Sequence, residues 1–235
     1  MTEAHAPAHG SVVGVLLAAG AGRRLGGPKA LLHDPVRGPL LRTQCARLQA
    51  AGCSRVVVVL GCGAGAARPL VPAGAEVVVA ADWESGMGAS IRAGLLAAQS
   101  DDPTAVLLTL VDLVDVPTAA HARLLARAHE SALGRVFWGG RPGHPVLLGN
   151  AHVPAALDLS HGDSGPRALF TRAATRGDLI RIDCGPSVRG IDIDTPEDLA
   201  RRGLTLAPCA EAHRVARHRT PLTAVPSPAG GPHRG

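Results

Sequence analysis

A glycine-rich stretch near the N-terminus combines a flexible backbone with positive charge. The apolar run SVVGVLLAAG leads directly into LAAGAGRRLGGPK, residues 17–29, which carries Arg23, Arg24 and Lys29. Backbone N–H groups in such a turn can wrap a chain of phosphates, and arginine and lysine side chains can neutralise charge on phosphoryl oxygens. The stretch predicts a phosphate-binding loop. The alternative is an ordinary strand-to-helix turn with solvated basic residues.

Two common phosphate-binding motifs do not fit this stretch. A dinucleotide fingerprint, G-x-G-x-x-G, would begin at Gly20, but Leu25 stands in place of its third glycine. The acidic residue of that fingerprint, expected ~20 residues later, is also missing. A P-loop, G-x-x-x-x-G-K-[ST], is interrupted by Pro28 before Lys29 and has no Ser or Thr after the lysine. The predicted phosphate loop is therefore of another type.

Two carboxylates far along the chain could hold a divalent cation. Asp112 ends the apolar run AVLLTLVD, and Asp194 follows Asp192 in IDIDTPEDL, where strand alternation puts both side chains on one side. Carboxylate oxygens are ligands that Mg²⁺ prefers. Each position also suits a helix cap, because Asp112 or Asp115 could begin the next helix and T-P-E follows Asp194. Both interpretations stay open from the residues alone.

Strand-like and helical segments alternate along most of the chain and must position these groups. The predicted strands are residues 12–20, 55–61, 76–81, 105–112, 135–138, 144–148 and 178–184. The predicted helices are residues 38–52, 88–100, 118–133, 165–177 and 195–203. Continuous apolar strands separated by helices indicate an α/β fold with three layers: a mostly parallel, Rossmann-like sheet with helices on both faces. Ligands of such sheets bind at the carboxyl ends of strands, where the glycine loop and Asp112 are expected.

Composition excludes several function classes. Hydrophobic residues make up 46% of the 235 residues, so a sizeable core can form. Four aromatic residues offer little stacking surface for nucleic-acid bases. No apolar run approaches the ~20 residues that span a membrane, and five cysteines without a C-x-x-C pair indicate free thiols. We expect a cytoplasmic protein with neither a nucleic-acid nor a membrane partner.

The two ends of the chain differ in composition from its middle. Residues 1–10 form a short polar lead, and residues 205–235 are rich in Pro, Gly and Arg with little periodicity. We predict a disordered lead over 1–10, one folded domain over 11–204 and a disordered tail over 205–235.

The opening motif resembles that of a known enzyme family. LAAGAGRRLGGPKALL follows the pattern L-A-A-G-x-x-x-R-x-G-x-x-K of the MobA-like nucleotidyltransferases, with Arg24, Gly26 and Lys29 in the matching positions. These small α/β enzymes, of the nucleotide-diphospho-sugar-transferase type, attach a nucleotide to molybdopterin or a related acceptor. The resemblance implies that the loop backbone wraps an NTP triphosphate and that Arg24 and Lys29 are the catalytic cations. The implied nucleotide-binding residues of the loop are Leu17, Ala18, Ala19, Gly20 and Gly22.

Later segments extend the resemblance over roughly residues 12–203. DWESGMGASIRAGL is similar to the family's W-x-x-G-x-x-x-S-x-x-x-G, which implies that Asp82, Gly86 and Ser90 lie near the nucleotide base and sugar. The D-T-P-E-D segment implies that Asp194 joins Asp112 at Mg²⁺. One position departs from the family pattern. The family usually has D-x-P beginning at the metal aspartate, whereas this chain has Val114 in place of that proline.

Two further motifs are typical of one branch of the family. GRPGHPVLL and HGDSGPR are similar to P-G-H-P and G-D-x-G-x-R. That branch contains the molybdenum cofactor cytidylyltransferases and the proteins called nicotine blue oxidoreductases. The resemblance implies acceptor-binding roles for His144, Asp163 and Arg167. A structural role for His144 and helix capping by Asp163 are the alternatives.

The predicted reaction is Mg²⁺-dependent nucleotidyl transfer. A phosphate of the acceptor would attack the α-phosphorus of an NTP, with CTP and molybdopterin implied by the branch, and pyrophosphate would leave. The nucleophile is already an anion, so no general base is needed. The expected partners are the nucleotide and the small acceptor, with a molybdoenzyme or its chaperone as a further candidate. The alternatives are an NAD(P)H-dependent oxidoreductase and a cofactor-binding protein without catalysis.

Overall fold

The computed structural model describes residues 10–185 and 192–208. The strands in these ranges are β1 Val12–Ala18, β2 Leu32–Asp34, β3 Gly38–Pro39, β4 Arg55–Leu60, β5 Glu76–Val79, β6 Ala105–Leu110, β7 Leu133–Trp138, β8 Arg141–Gly149, β9 Ile180–Asp183 and β10 Thr205–Leu206. The α-helices in the same ranges are α1 Leu40–Ala51, α2 Ala64–Ala67, α3 Met87–Ala98, α4 Thr118–Leu125, α5 Val153–Leu159, α6 Arg167–Arg176 and α7 Pro196–Arg202.

A central sheet of seven strands has the order β5-β4-β1-β6-β8-β7-β9. The strands β5, β4, β1 and β6 run parallel to their neighbours. The strand β8 is antiparallel to both β6 and β7, and β9 pairs parallel with β7. The predicted segments 135–138 and 144–148 thus form a β7–β8 hairpin inside the sheet. The prediction of a mostly parallel sheet is confirmed.

Helices cover both faces of this sheet, as the sequence predicts. Every residue of β1 is buried, and its side chains alternate between two hydrophobic clusters. Leu16 packs in the cluster that includes residues of α1 and α4. Val15 and Leu17 pack in the cluster that includes residues of α3, α5 and α6. A strand buried on both faces reads as a continuous apolar run, which explains the opening of the sequence.

The helix α4 and the strand β6 end earlier than the sequence pattern predicts. The helix predicted over 118–133 ends at Leu125, because Leu133 begins β7 and pairs with Leu148 of β8. Sheet pairing between distant residues here overrides a helical pattern that continues locally. The strand predicted over 105–112 ends at Leu110, so Asp112 lies in the turn that follows β6.

A small second sheet extends the folded domain beyond the predicted boundary. Its strand order is β10-β2-β3, and Leu206 of β10 pairs antiparallel with Leu32 of β2. The boundary predicted at residue 204 therefore falls two residues before the end of this strand, whose partner lies far earlier in the chain. The remainder of the predicted lead and tail, residues 1–9 and 209–235, lies outside the described residues. Within the described ranges, no helix is both long and apolar enough to cross a bilayer.

Candidate active site

The glycine loop leaves β1 in a turn that only glycine can make at Gly22. This residue has φ +57°, and its carbonyl accepts the N–H groups of residues 25, 26 and 27 at 3.0, 3.0 and 3.2 Å. A Cβ at position 22 would lie 1.9 Å from the carbonyl oxygen of Gly27. By contrast, a Cβ at Gly20 would meet no atom within 4 Å. The turn folds the loop back on itself and leaves its first part open to a ligand.

Four charged side chains from three segments form one ion-paired row beside this loop. Lys29 Nζ donates to Asp112 Oδ2, and it donates to Asp194 Oδ1 at 2.7 Å. Arg24 Nη2 donates to Asp194 Oδ2 at 2.7 Å. The Asp112 side chain is 3% exposed and the Arg24 side chain 75%. The row therefore runs from the protein interior at Asp112 to the surface at Arg24, with charge alternating along it.

Helix capping does not occupy the two carboxylates. The N-cap of α7 is Thr195, whose side chain accepts the N–H of Asp198 at 3.2 Å while Asp198 Oδ2 accepts the N–H of Thr195 at 3.0 Å. This capping box satisfies the helix start. The N-cap of α4 is Pro117, without a side-chain cap. Neither Asp112 nor Asp115 caps α4, and the carboxylate of Asp194 stays with Lys29 and Arg24.

The electrostatics of the row keep its central lysine charged. Burial lowers the pKa of Lys29, but the charges and hydrogen bonds of Asp112 and Asp194 outweigh it and raise the pKa above its usual value. A third carboxylate, Asp192, has a raised pKa because of desolvation first and the charge of Asp112 second. The ammonium of Lys29 is thus held in place by paired carboxylates.

A cavity of about 530 Å³ joins the loop, the charged row and the helix α3. Most of the residues predicted for the site line it: Leu17, Ala18, Ala19, Gly20, Gly22, Arg24, Lys29, Gly86, Ser90, Asp112, Asp163 and Asp194. The predicted residue Asp82 lies instead at a neighbouring pocket, and Trp83 and Glu84 take its place in the lining. Asp192 also lines the cavity. Strand alternation predicts that it lies on the same side as Asp194, but the described residues 192–194 form no strand.

Close packing between two loops brings Asp163 to the cavity. Gly86 has φ +126°, and a Cβ there would lie 2.3 Å from the carbonyl carbon of Gly162. The N–H of Gly88 donates to the Gly162 carbonyl at 2.8 Å. The N-cap of α6 is Pro166, without a side-chain cap, so Asp163 does not cap that helix. The glycines at the start of α3 therefore set the position of the Asp163 loop.

The other two predicted acceptor residues lie together outside the cavity lining. His144 on β8 and Arg167 at the start of α6 each interact electrostatically with Arg135 of β7. Burial, with the charge of Arg135 second, lowers the pKa of His144 to about 4. Arg135 also lies over the Phe170 ring at 5.6 Å and donates to the Gly143 carbonyl at 3.4 Å. In the sequence, the one feature that indicates this cluster of His144, Arg135 and Arg167 is the single arginine within an apolar strand.

The positions of the Asp112 and Asp194 carboxylates are compatible with a divalent cation. Within the described residues, no three His, Cys, Asp or Glu side chains converge as a metal cluster. Mg²⁺ at nucleotide sites is usually held by one or two carboxylates together with substrate phosphates. Oxygens of Asp112 and Asp194 already meet at one cationic nitrogen, Lys29 Nζ. Their placement therefore suits a small hard cation.

This fold and this cavity define the class of protein. A parallel sheet carries, at the carboxyl ends of the adjacent strands β1 and β6, a glycine loop and a carboxylate that share one cavity, as in α/β proteins that bind nucleotides. The sequence model of the MobA-like NTP transferase domain matches residues 14–177. The chain belongs to this nucleotidyltransferase family.

Individual relatives are similar to this chain over about four fifths of its length. The chain is 39% identical over 202 residues to a nicotine blue oxidoreductase of Paenarthrobacter nicotinovorans, with 81% of this chain and 95% of that protein covered. Among solved structures, Rv0371c of Mycobacterium tuberculosis H37Rv is 28% identical with a TM-score of 0.69, covering 81% of this chain and 96% of that one. A manganese complex of Rv0371c is 25% identical with a TM-score of 0.66, covering 82% and 97%.

Proposed function

We propose that this protein transfers CMP from CTP to a phosphate of molybdopterin and releases pyrophosphate. The observation that carries the proposal is the position of Lys29, which bridges Asp112 and Asp194 beside the glycine loop in one cavity. Cations and carboxylates at one point are what a phosphoryl-transfer site needs for charge neutralisation. The partners we propose are the nucleotide, the small acceptor, and a molybdoenzyme or its chaperone that receives the product.

The residues of the cavity divide the work of this reaction. Backbone N–H groups from Ala18 to Gly22 bind the triphosphate, and Arg24 and Lys29 offset its negative charge. An oxygen of the acceptor phosphate attacks the α-phosphorus, and the bond to the pyrophosphate oxygen breaks. The nucleophile is already anionic, so the chain supplies alignment and charge rather than a base.

A divalent cation belongs to this proposal. Asp112 and Asp194 would hold Mg²⁺, which supplies charge neutralisation at the phosphates when bound. The manganese complex of Rv0371c supports a divalent cation in this family. The choice of Mg²⁺ rests on the oxygen-only donor set.

The choice of substrates rests on the branch motifs. The P-G-H-P and G-D-x-G-x-R segments point to CTP and molybdopterin, and we propose acceptor contacts for Asp163, His144 and Arg167. Asp163 lines the cavity and supports an acceptor there. His144 and Arg167 lie around Arg135, so their contacts would require an acceptor that extends beyond the lining residues.

A second candidate function has one observation in its favour. The 39% identity to a nicotine blue oxidoreductase spans nearly all of that protein, which keeps an NAD(P)H-dependent reduction of a quinoid compound as the rival activity. The residues favour it less, since Leu25 breaks the dinucleotide fingerprint. A cofactor-binding protein without catalysis is the third possibility.

One set of assays distinguishes these functions. The purified chain is incubated with Mg²⁺, molybdopterin and either CTP, GTP or ATP, and pyrophosphate is measured. In parallel, NADPH oxidation is followed with a quinoid dye. We expect pyrophosphate with CTP above the other nucleotides. Pyrophosphate from none of them together with NADPH oxidation would establish the rival, and nucleotide binding without either activity would indicate a carrier.

A further inference from the structure

A second polar pocket, of about 220 Å³, lies between α1, the segment after Asp112 and the end of α7. Arginine and aspartate side chains dominate its lining: Arg37, Arg47, Arg202, Asp34 and Asp115. None of these five residues lines the candidate active site. Three guanidinium groups against two carboxylates leave positive charge in excess.

Both carboxylates of this pocket already have partners. Asp115 Oδ2 accepts from Arg202 Nη1 at 2.6 Å. Asp34 Oδ1 accepts the backbone N–H groups of Val36 and Arg37 at 2.9 and 3.1 Å. These contacts fix Asp34 to its own turn and Asp115 to α7. Neither carboxylate forms an ion pair with Arg37 or Arg47 within the described residues.

The remaining two arginines repel each other. Arg47 is half-buried and donates through Nη1 to the Val114 carbonyl at 2.8 Å. Burial first and the charge of Arg37 second lower the pKa of Arg47, while Asp115 acts in the opposite direction. The Arg37 side chain is exposed and makes no hydrogen bond or ion pair with another described residue. An anion between the two guanidinium groups would offset this repulsion.

We propose that this pocket binds a phosphate-sized oxyanion through Arg37, Arg47 and Arg202. Guanidinium groups present paired donors that match phosphate oxygens, and a pocket of about 220 Å³ has room for phosphate or pyrophosphate. The chemistry is shared by a free phosphate ion and by the phosphoryl group of a larger metabolite. The site is separate from the nucleotide cavity and does not depend on the proposed transfer reaction.

The position of the pocket connects it to both carboxylates of the active site. Val114 and Asp115 lie two and three residues after Asp112. Arg202 ends α7, which begins directly after Asp194 and Thr195. An oxyanion held by Arg47 and Arg202 would join these two segments. Val114, which stands where the family usually has proline, contributes its carbonyl to this arrangement.

The test is calorimetric titration of the full chain with inorganic phosphate, without nucleotide or metal. We expect Arg37→Gln and Arg47→Gln each to weaken the pocket's binding by about tenfold, the effect of losing one charge-assisted hydrogen bond. Arg42→Gln is the matched control, because Arg42 is exposed on α1 and does not line the pocket. Asp115→Asn should tighten binding, since it removes a negative charge from the lining. Arg37 is exposed, so its variant tests the proposal even if Arg47→Gln fails to fold.

Two further arms separate this pocket from the glycine loop and identify the source of the anion. In a Lys29→Gln background, phosphate binding sensitive to Arg37→Gln should persist. Binding that disappears with Lys29→Gln and ignores Arg37→Gln would overturn the proposal, as would no binding at millimolar phosphate. Titration with glycerol phosphate then decides the source: tighter binding than phosphate indicates a phosphorylated metabolite, and equal or weaker binding indicates the free ion.

Discussion

The two sides of the candidate site are assembled in different ways. On the nucleotide side, Lys29, Asp112 and Asp194 come from three distant segments and meet in one ion-paired row. On the side proposed for the acceptor, Asp163 lines the cavity, while His144 and Arg167 lie outside its lining and each interact with Arg135. The nucleotide side is therefore a compact charged centre. The residues predicted for the acceptor are divided between the cavity and the surroundings of Arg135.

Sheet topology explains this difference. The glycine loop follows β1 and Asp112 follows β6, and these strands are parallel neighbours. Their carboxyl ends must lie at one edge of the sheet, so the two segments meet whatever packs around them. His144 lies within the antiparallel strand β8, and Arg167 opens a helix. The distance of those two residues from the cavity depends on how the hairpin and helix pack.

The largest expected effect tests the compact centre. Asp112→Asn keeps the size of the side chain but removes a buried charge from the proposed cation site. We expect metal-dependent pyrophosphate release to fall about 10³-fold in kcat/KM. The protein should stay folded, because Lys29 keeps its pairing with Asp194. Asp158→Asn, an exposed aspartate on α5, is the control. Full activity in Asp112→Asn would place the cation elsewhere.

Replacing Lys29 should reduce turnover less than replacing Asp112 does, and it should strengthen metal binding. Lys29→Gln should reduce kcat/KM about 10²-fold, because one cation is lost from the phosphates. Without nucleotide, the same variant should bind Mn²⁺ more tightly in a titration, since the ammonium no longer competes for oxygens of Asp112 and Asp194. Arg42→Gln should change neither quantity. Weaker Mn²⁺ binding in Lys29→Gln would mean that the lysine orients the carboxylates rather than competing.

Two parts of the compact centre, the glycine loop and Asp112, are predictable from the sequence because each follows a strand. Continuous apolar runs identify parallel strands, and the glycine loop and Asp112, which come after two of these strands, are expected at one edge of the sheet. The glycine at position 22 and the basic residues after it are also local features. Asp194 depends on the resemblance, since its segment reads equally well as a helix start.

Non-local packing and one local turn account for what the sequence does not predict. The end of α4 at Leu125 and the pairing of β10 with β2 depend on partners far away in the chain. The displacement of Asp82 from the cavity, with Trp83 in its place, depends on the local 3₁₀ turn at Trp83–Ser85. Arg135 is a lone arginine in an apolar strand, but the sequence does not show that His144 and Arg167 interact with it.

A third prediction concerns the contact that connects the two sides. Gly86→Ala places a Cβ 2.3 Å from the Gly162 carbonyl carbon at a φ of +126°. We expect the free energy of unfolding to fall by about 2 kcal/mol, and the KM for the acceptor to rise more than the KM for the nucleotide as the Asp163 loop moves. Urea denaturation and steady-state kinetics measure the two effects. Gly65→Ala in α2 is the control, because a Cβ at position 65 meets no atom within 4 Å. The free energy of unfolding of this variant should be at least that of the wild type.

The smallest effect should separate stability from catalysis at His144. The pKa of His144 is lowered from 6.5 to about 4, by burial first and by the charge of Arg135 second. Below pH 6.5 the imidazole of His144 binds a proton in the unfolded chain but stays neutral in the folded protein. The free energy of unfolding therefore falls as the pH is lowered from 6.5 to 4. His144→Gln should remove about 1–2 kcal/mol of this fall, a value reduced for the partial exposure of the side chain. Urea denaturation at pH 7 and pH 4.5 measures it, with the exposed His161→Gln as control.

An equal pH dependence in His144→Gln and the wild type would show that the imidazole is solvated, which would favour direct contact with an acceptor over a structural role beside Arg135.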